Sequence, residues 1–494
     1  MSRIWPSWKN TPILGRYTQG RLQVSPSNGS TTIPRQRVLV NPRTGQPGPV
    51  IVQDTSPSQV KSSILQARQA QSTWATLPGA ARRDGMLALA QAAATHKGML
   101  AQLGSLETGK PYLDSVGEVE DAIECLRHFA GYADKPRGSS MVEQQYSMHS
   151  TTQLEPIGVC GLVSSFNYPM MLTGWKIGPA LAAGNSVIIK PAPQTPLTSL
   201  ALAELSNQVL PTDVIQVLPG GLETGQAIVD GVDKTSFTGS TPAGQAIMRQ
   251  AADRLQPLTL ECGGKNTVII DADADLANAA YHVAQGAFSN TGQNCCAASR
   301  VLVHARVHDA FVELLRAETM RWKPVVVDQD EKDDGVSYYY GPLIDQQQYD
   351  RVQRYLTHPT YQPAFSSSLG TDQTGFYLPP TVYVGVDDHD PLAQDEIFGP
   401  ILSILTPFDT IQEAVSRANT ATPFGLAAGV FSEKYATAHS IASQLQTGIV
   451  WINTYNVIPA SVPFGGRKLS GFGKDLGWNA LNEFSFTKSI LHAL

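Results

Sequence analysis

A chain of 494 residues carries too much apolar surface for one ordinary core, so two large domains and a smaller appendage are expected. With 42% hydrophobic and 16% charged residues, 42 Gly and 33 Pro, its composition is that of a globular α/β protein and excludes a disordered or collagenous chain. A formal charge of -6 offers no basic field for DNA or RNA, and no run of about 18 apolar residues could span a bilayer.

The opening MSRIWPSWKNTPILGRYTQG lacks the apolar core of a secretory signal. Five cysteines, Cys125, Cys160, Cys262, Cys295 and Cys296, are odd in number and without a C-x-x-C pair, so they read as free thiols in a reducing compartment. Cytoplasmic residence is the expectation, and the glycosylation triplet at Asn28 is given no weight.

Over residues 56–133 apolar side chains such as Val60, Ile64 and Ala67 recur at spacings of three and four, broken by Pro78-Gly79, which predicts a helical layer ahead of the first strong strands. Residues 140–154, SMVEQQYSMHSTTQL, are polar with partial alternation and fit a protruding arm or edge hairpin. Short apolar strands at 158–163, 186–190, 214–218 and 235–238 follow, with a helix at 197–209 between them; alternation at this spacing predicts parallel βαβ units. A second series runs through 267–270, 299–303, 401–405 and 449–452. The charged stretch 325–340 within it reads as a solvated loop.

Chemistry concentrates in a few places. GAFSNTGQNCCAASR sets Cys295 and Cys296 behind a Gly/Asn/Gln-rich turn that can expose a thiol, although a cysteine is more often a small buried hydrophobe. Glu261, after an apolar strand and before two glycines, is either a general base or an ordinary strand-end glutamate. Asn167, in the loop after a strand, could donate to an oxyanion or be a simple turn residue. FTGSTPAG, from Phe237, ends a strand and opens a helix whose N-terminus could face a pyrophosphate or merely be capped. The acidic run at 271–275 lacks the glycine and glutamate of a calcium loop and reads as a helix N-cap; no metal site is expected.

Taken in order, EPIGVCGLVSSFNYP, KPAPQTP, SFTGSTPAG, LECGGK, FSNTGQNCCAASR, DEIFGP and PFGGRKLSGFGK resemble the successive motifs of the aldehyde dehydrogenase superfamily over residues 67–489. The resemblance implies a Rossmann-type cofactor domain (1–136 and 156–262), an α/β catalytic domain (263–469), and a small β oligomerisation arm with the C-terminal segment (137–155 and 470–494). It implies NAD(P)-dependent oxidation of a small-molecule aldehyde by a homodimer or homotetramer, with Cys295 as nucleophile, Glu261 as hydrolytic base and Asn167 as oxyanion donor. Lys176 and Asp475 would lie near a proton path. Cofactor contacts would fall on Phe166, Lys190, Gly221, Gly225, Phe237, Gly239, Ser240, Glu396 and Phe398. Pro193 stands where many NAD-using members carry a glutamate against a 2′-phosphate, which leaves NAD and NADP both open.

FGLAAGVFS and WINTYNVIPASVPFGG are most similar to the betaine aldehyde and trimethylaminobutyraldehyde dehydrogenases. Tyr168, Trp175 and Phe464 match aromatic positions of their pocket, which implies an amino- or trimethylammonium-aldehyde; such a lining also suits a plain apolar aldehyde. The alternative is a non-redox thioester hydrolase or acyl transferase using the same cysteine.

Overall fold

A computed structural model describes residues 13–18, 21–23, 35–135, 138–325, 337–369 and 374–494; Asn28 lies outside them. The helical layer is four helices, Pro57–Thr76, Gly79–Thr95, Lys97–Thr108 and Tyr112–Ala133. Ser56 opens the first with a reciprocal cap: its hydroxyl accepts from the Gln59 N–H, and the Gln59 side chain accepts from the Ser56 N–H at 2.9 Å. Gly109, at φ +76, ends the third in the left-handed conformation that glycine adopts without strain. The Trp74 indole donates to the Leu181 carbonyl at 3.0 Å and fastens this layer to the helices over the first sheet.

That first sheet has eight strands, in the order Gly471–Phe472, Leu258–Glu261, Lys234–Thr238, Val159–Val163, Ser186–Lys190, Ile215–Val217, Arg16–Thr18 and Arg21–Gln23. Its five central strands run parallel and are almost wholly buried, as a sheet covered on both faces must be. The chain leaves Val159–Val163 in one direction for two strands, then returns to that strand's other side at Lys234–Thr238. The crevice beyond the carboxyl ends of these strands is the usual ligand position in an open α/β sheet.

The second sheet has seven strands: Phe365–Ser366, Thr381–Val386, Ile401–Leu405, Arg300–Val303, Thr267–Ile270, Ala427–Phe431 and Ile449–Ile452. All neighbours are parallel except the first pair. A separate arm forms where Met148–Pro156 pairs antiparallel with Ser140–Glu143 on one side and Ser485–Ala493 on the other. Met141, Val142, Tyr146, Phe486, Ile490 and Leu491 of this arm and its turn stand exposed.

The helical layer does not precede all the strands. Ile13–Leu14, Gln36–Asn41 and Gln46–Gln53 form a sheet ahead of it, the last two joined by the tight Asn41–Gly45 turn; the alternation in RVLVN and PGPVIVQ carried that signal. The reading of 325–340 as solvated is corrected at its ends. Tyr338–Tyr340 pairs in parallel with Trp322–Pro324, and Val325 and Tyr340 are buried; residues 326–336 lie outside the described residues. Asp275 does cap the helix Leu276–Phe288, accepting from the N–H groups of Ala277 and Asn278.

Candidate active site

The cysteine loop is bent by its backbone. After the helix Leu276–Phe288, Asn290, Thr291 and Gly292 adopt φ values of +51, +58 and +68, and a β-carbon on Gly292 would collide with the Gly399 carbonyl. The Asn266 side-chain amide then holds the loop, donating to the Cys295 carbonyl at 2.8 Å and the Ala297 carbonyl at 2.9 Å while accepting from the Ala427 N–H at 3.0 Å. The two thiols line one cavity but differ in access: Cys296 is 2% exposed with its Sγ 3.2 Å from both the Asn294 and Asn456 Oδ1, whereas Cys295 is half-buried. A hydrogen bond with Cys296 and then burial hold the Cys295 thiol well above the ordinary range.

Glu261 ends Leu258–Glu261, flanked by Lys234–Thr238 and Gly471–Phe472. It is 4% exposed, and neither carboxyl oxygen has a hydrogen-bond partner among the described residues. Burial, then the nearby Asp475, pushes its carboxyl well above the ordinary range, and Lys176 opposes the shift. Asp475 lines the cavity and is itself positioned by paired backbone hydrogen bonds with Phe464, at 2.7 and 2.8 Å. Lys176 sits behind it, its Nζ 2.8 Å from Asp475 Oδ2 and 2.9 Å from Ser236 Oγ. Lys176 therefore reaches the cavity only through Asp475.

Asn167 follows the strand Val159–Val163 and precedes the helix Pro169–Ala182. Its Nδ2 donates to the Gln293 carbonyl at 3.0 Å, two residues before Cys295. Asn167, Glu261 and Cys295 all line one cavity of about 560 Å³. Trp175 and Phe464 meet edge to face at 5.3 Å on its wall, beside Tyr168.

The same cavity is lined by Phe166, Gly239, Ser240, Glu396 and Phe398, with the Phe166 and Phe398 rings edge to face at 5.8 Å. Glu396 accepts from the Gly264 N–H at 2.9 Å, and burial raises its carboxyl. Phe237 does not line the cavity; its ring lies where a β-carbon on Gly239 would go. Ser240 starts the helix Thr241–Ala252 without a side-chain cap, so that N-terminus can receive an anion.

Lys190, Gly221 and Gly225 form a separate corner. Lys190 Nζ donates to the Pro191 and Gly220 carbonyls at 3.0 and 3.2 Å, and burial lowers it to about 8. A β-carbon on Gly225 would lie 3.4 Å from the Lys190 side chain. Pro193 faces a second cavity, of about 360 Å³, with Arg35 and Arg37. A buried ammonium held only by carbonyls, a glycine-faced helix start and an uncapped helix N-terminus fit the hydroxyls and phosphates of a dinucleotide.

Sequence reasoning overlooked Asp121, Asn294, Arg351 and Asn456, all of which line the main cavity. Asn456, at φ +63, lies inside the quoted WINTYNVIP motif, whereas Asp121 sits mid-helix with nothing local to mark it. Burial, with Glu118 and Glu120, pushes the Asp121 carboxyl to about 6. Among the described residues no cluster of His, Cys, Asp or Glu could hold a metal ion, and no helix is long and apolar enough to cross a membrane.

A half-buried thiol, a buried carboxylate without a hydrogen-bond partner and a side-chain amide lining one cavity are the groups that covalent catalysis through a cysteine uses. Residues 31–490 match the model of the aldehyde dehydrogenase family, and the chain belongs to that family. Retinaldehyde dehydrogenase 3 of Mus musculus is 41% identical over 381 residues, spanning 76% of this chain and 72% of the relative. The NAD+ complex of an aldehyde dehydrogenase from Bacillus cereus matches with a TM-score of 0.91 at 34% identity, covering 98% of this chain and 97% of that one. Betaine aldehyde dehydrogenase from Staphylococcus aureus in complex with NAD+ matches at 0.89 and 31% identity, covering 97% and 94%. Family membership selects the nicotinamide-dependent oxidoreductase over the non-redox hydrolase.

Proposed function

We propose that Cys295 is the nucleophile, Asn167 the oxyanion donor and Glu261 the hydrolytic base in oxidation of an aldehyde to its carboxylic acid. The observation that carries this is their convergence on one cavity, with Cys295 the accessible thiol of its pair. The Cys295 thiol releases its proton to solvent and, as thiolate, adds to the carbonyl carbon, and the Asn167 amide stabilises the oxygen as it gains charge. Nicotinamide, when bound, supplies the acceptor for the hydride that leaves this carbon. The thioester left on Cys295 is cleaved by a water whose proton Glu261 takes, and the acid departs as the thiolate is restored.

Lys190, Gly221 and Gly225 would hold the adenosine half of the cofactor, and Phe166, Gly239, Ser240, Glu396 and Phe398 the half that approaches Cys295; Phe237 shapes the floor beneath Gly239. Pro193 places no negative charge against a 2′-phosphate, which leaves the choice between NAD and NADP open. Residues 1–136 and 156–262 form the cofactor domain, 263–469 the catalytic domain, and 137–155 with 470–494 the arm and C-terminal segment. The arm's exposed apolar side chains support a homodimer or homotetramer. Five free thiols, one of them the nucleophile, suit the reducing cytoplasm.

The substrate is an amino- or trimethylammonium-aldehyde. Tyr168, Trp175 and Phe464 offer aromatic faces to a cation, each worth about 0.5–2 kcal/mol, and Asp121 adds a carboxylate to the same cavity. A panel of apolar, ω-amino and trimethylammonium aldehydes, each with NAD and NADP, tests this reading. Cationic aldehydes should give the highest kcat/KM, and Cys295→Ala should abolish nicotinamide reduction. Turnover surviving in that variant overturns the mechanism, and preference for apolar aldehydes overturns the substrate class.

A further inference from the structure

The loop carrying Asn167 is held by a buried ion pair that contributes no atom to the cavity. Lys110, turned inward just after Gly109, and Glu118, on the helix Tyr112–Ala133, are each 3% exposed and meet Nζ to Oε2 at 2.6 Å. Lys110 Nζ also donates to the Asn167 carbonyl at 2.8 Å and stands 4.5 Å from the centroid of the Tyr168 ring. The other Glu118 oxygen accepts from the Met170 and Met171 N–H groups at 2.7 and 3.2 Å, at the start of a helix with no side-chain cap of its own.

Two buried charges are a poor source of stability, because desolvation offsets most of their attraction and an apolar pair could fill the space as well. An apolar pair could not fix the Asn167 carbonyl. That carbonyl also accepts from Asn290 Nδ2 at 2.9 Å, and the same amide group donates to the Gln293 carbonyl at 3.1 Å. With Asn167 Nδ2 on the Gln293 carbonyl as well, the Asn167 peptide and side chain are both tied to the cysteine loop. Lys110 is a further donor to the Asn167 carbonyl in this frame, and Glu118 holds Lys110 and the helix start together.

From this geometry we propose that Lys110 and Glu118 are positioning residues, which keep the Asn167 amide at the place where charge develops on the Cys295 adduct. The proposal rests on the oxyanion role given to Asn167. Its mechanism is preorganisation: a donor already aimed costs no rearrangement when the oxyanion forms.

A double-mutant cycle on the full-length enzyme tests it, with kcat and KM for aldehyde measured for Asn167→Ala, Lys110→Met and the double variant. Thermal unfolding of each accompanies the kinetics. Asn167→Ala should lower kcat by about 10²- to 10³-fold, the effect of losing one oxyanion donor. Lys110→Met should lower kcat by about tenfold or more, as small misplacement of a reacting group does, with KM little changed. In the Asn167→Ala background Lys110→Met should cost nothing further. Glu118→Gln keeps an acceptor for the helix start, runs through the same cycle and should behave likewise; it decides the matter if Lys110→Met does not fold. An undiminished kcat in Asn167→Ala overturns the oxyanion reading itself. A reduced kcat there, with the charge-pair variants either fully active or equally damaging in both backgrounds, overturns the positioning role alone.

Discussion

Cys295 and Cys296 are adjacent in the chain and line one cavity but differ in access: Cys295 is half-buried, while Cys296 is buried with its thiol against Asn294 and Asn456. Brief alkylation of the native enzyme should therefore modify Cys295 first, and peptide mass mapping should find Cys296 untouched while activity disappears. Glu261 sets a second expectation. Its carboxyl is raised by burial first and by Asp475 next, and Lys176 opposes the rise. Only the ionised form can take a proton from water, so deacylation quickens as pH climbs through the raised value. Asp475→Asn removes a negative neighbour and should move that limb to lower pH; Lys176→Met removes a positive one and should move it higher. The pH profile of single-turnover hydrolysis of an acyl-enzyme made from an activated ester reads both shifts. The three central residues were legible as a family pattern, yet residues alone left each open between chemistry and a bland role. Asn266, Lys110 and Glu118, which fix them in space, act across gaps of tens of residues and carry no local mark.

Among the elements, Pro169–Ala182 and Leu197–Ser206 are two of the helices over the first sheet that start without a cap of their own. Both are capped from the helical layer, the first by Glu118 and the second by Glu107. Glu107 accepts from the Leu197 N–H at 2.6 Å, the Thr198 N–H at 3.2 Å and the Thr198 hydroxyl at 2.7 Å. Glu107→Ala leaves those buried donors unpaired, each worth about 1–3 kcal/mol, so a total loss of about 3 kcal/mol is expected in urea unfolding. Apolar runs revealed the parallel strands well, and the helix expected at 197–209 begins where it was expected but ends at Ser206. Thr381–Val386 and Ala427–Phe431 were missed: runs this short and wholly or mostly apolar are not told from helix by period.

At the scale of the molecule, the arm presents apolar side chains on an otherwise polar sheet, Ile490 and Leu491 among them. Replacing both with Asp should leave the fold intact and shift light-scattering mass toward a smaller species; an unchanged mass would exclude this face from assembly. The division into two sheets was visible in the spacing of apolar strands. The strand Gly471–Phe472, which closes the first sheet beside Glu261, was not, because two residues bounded by glycine carry no period.

The ion pair between Lys176 and Asp475 joins residues 299 positions apart, and Lys488 reaches Glu155 across 333. Synthesis order gives this span a biological meaning. The first sheet's central strands and the cysteine loop can be made and folded while the base still lacks its charged neighbour and the arm its third strand. A ribosome that stops between Cys295 and Asp475 releases a chain with its nucleophile and base but without the charge of Asp475 and the third strand of the arm, so the full set is present only when translation has nearly ended.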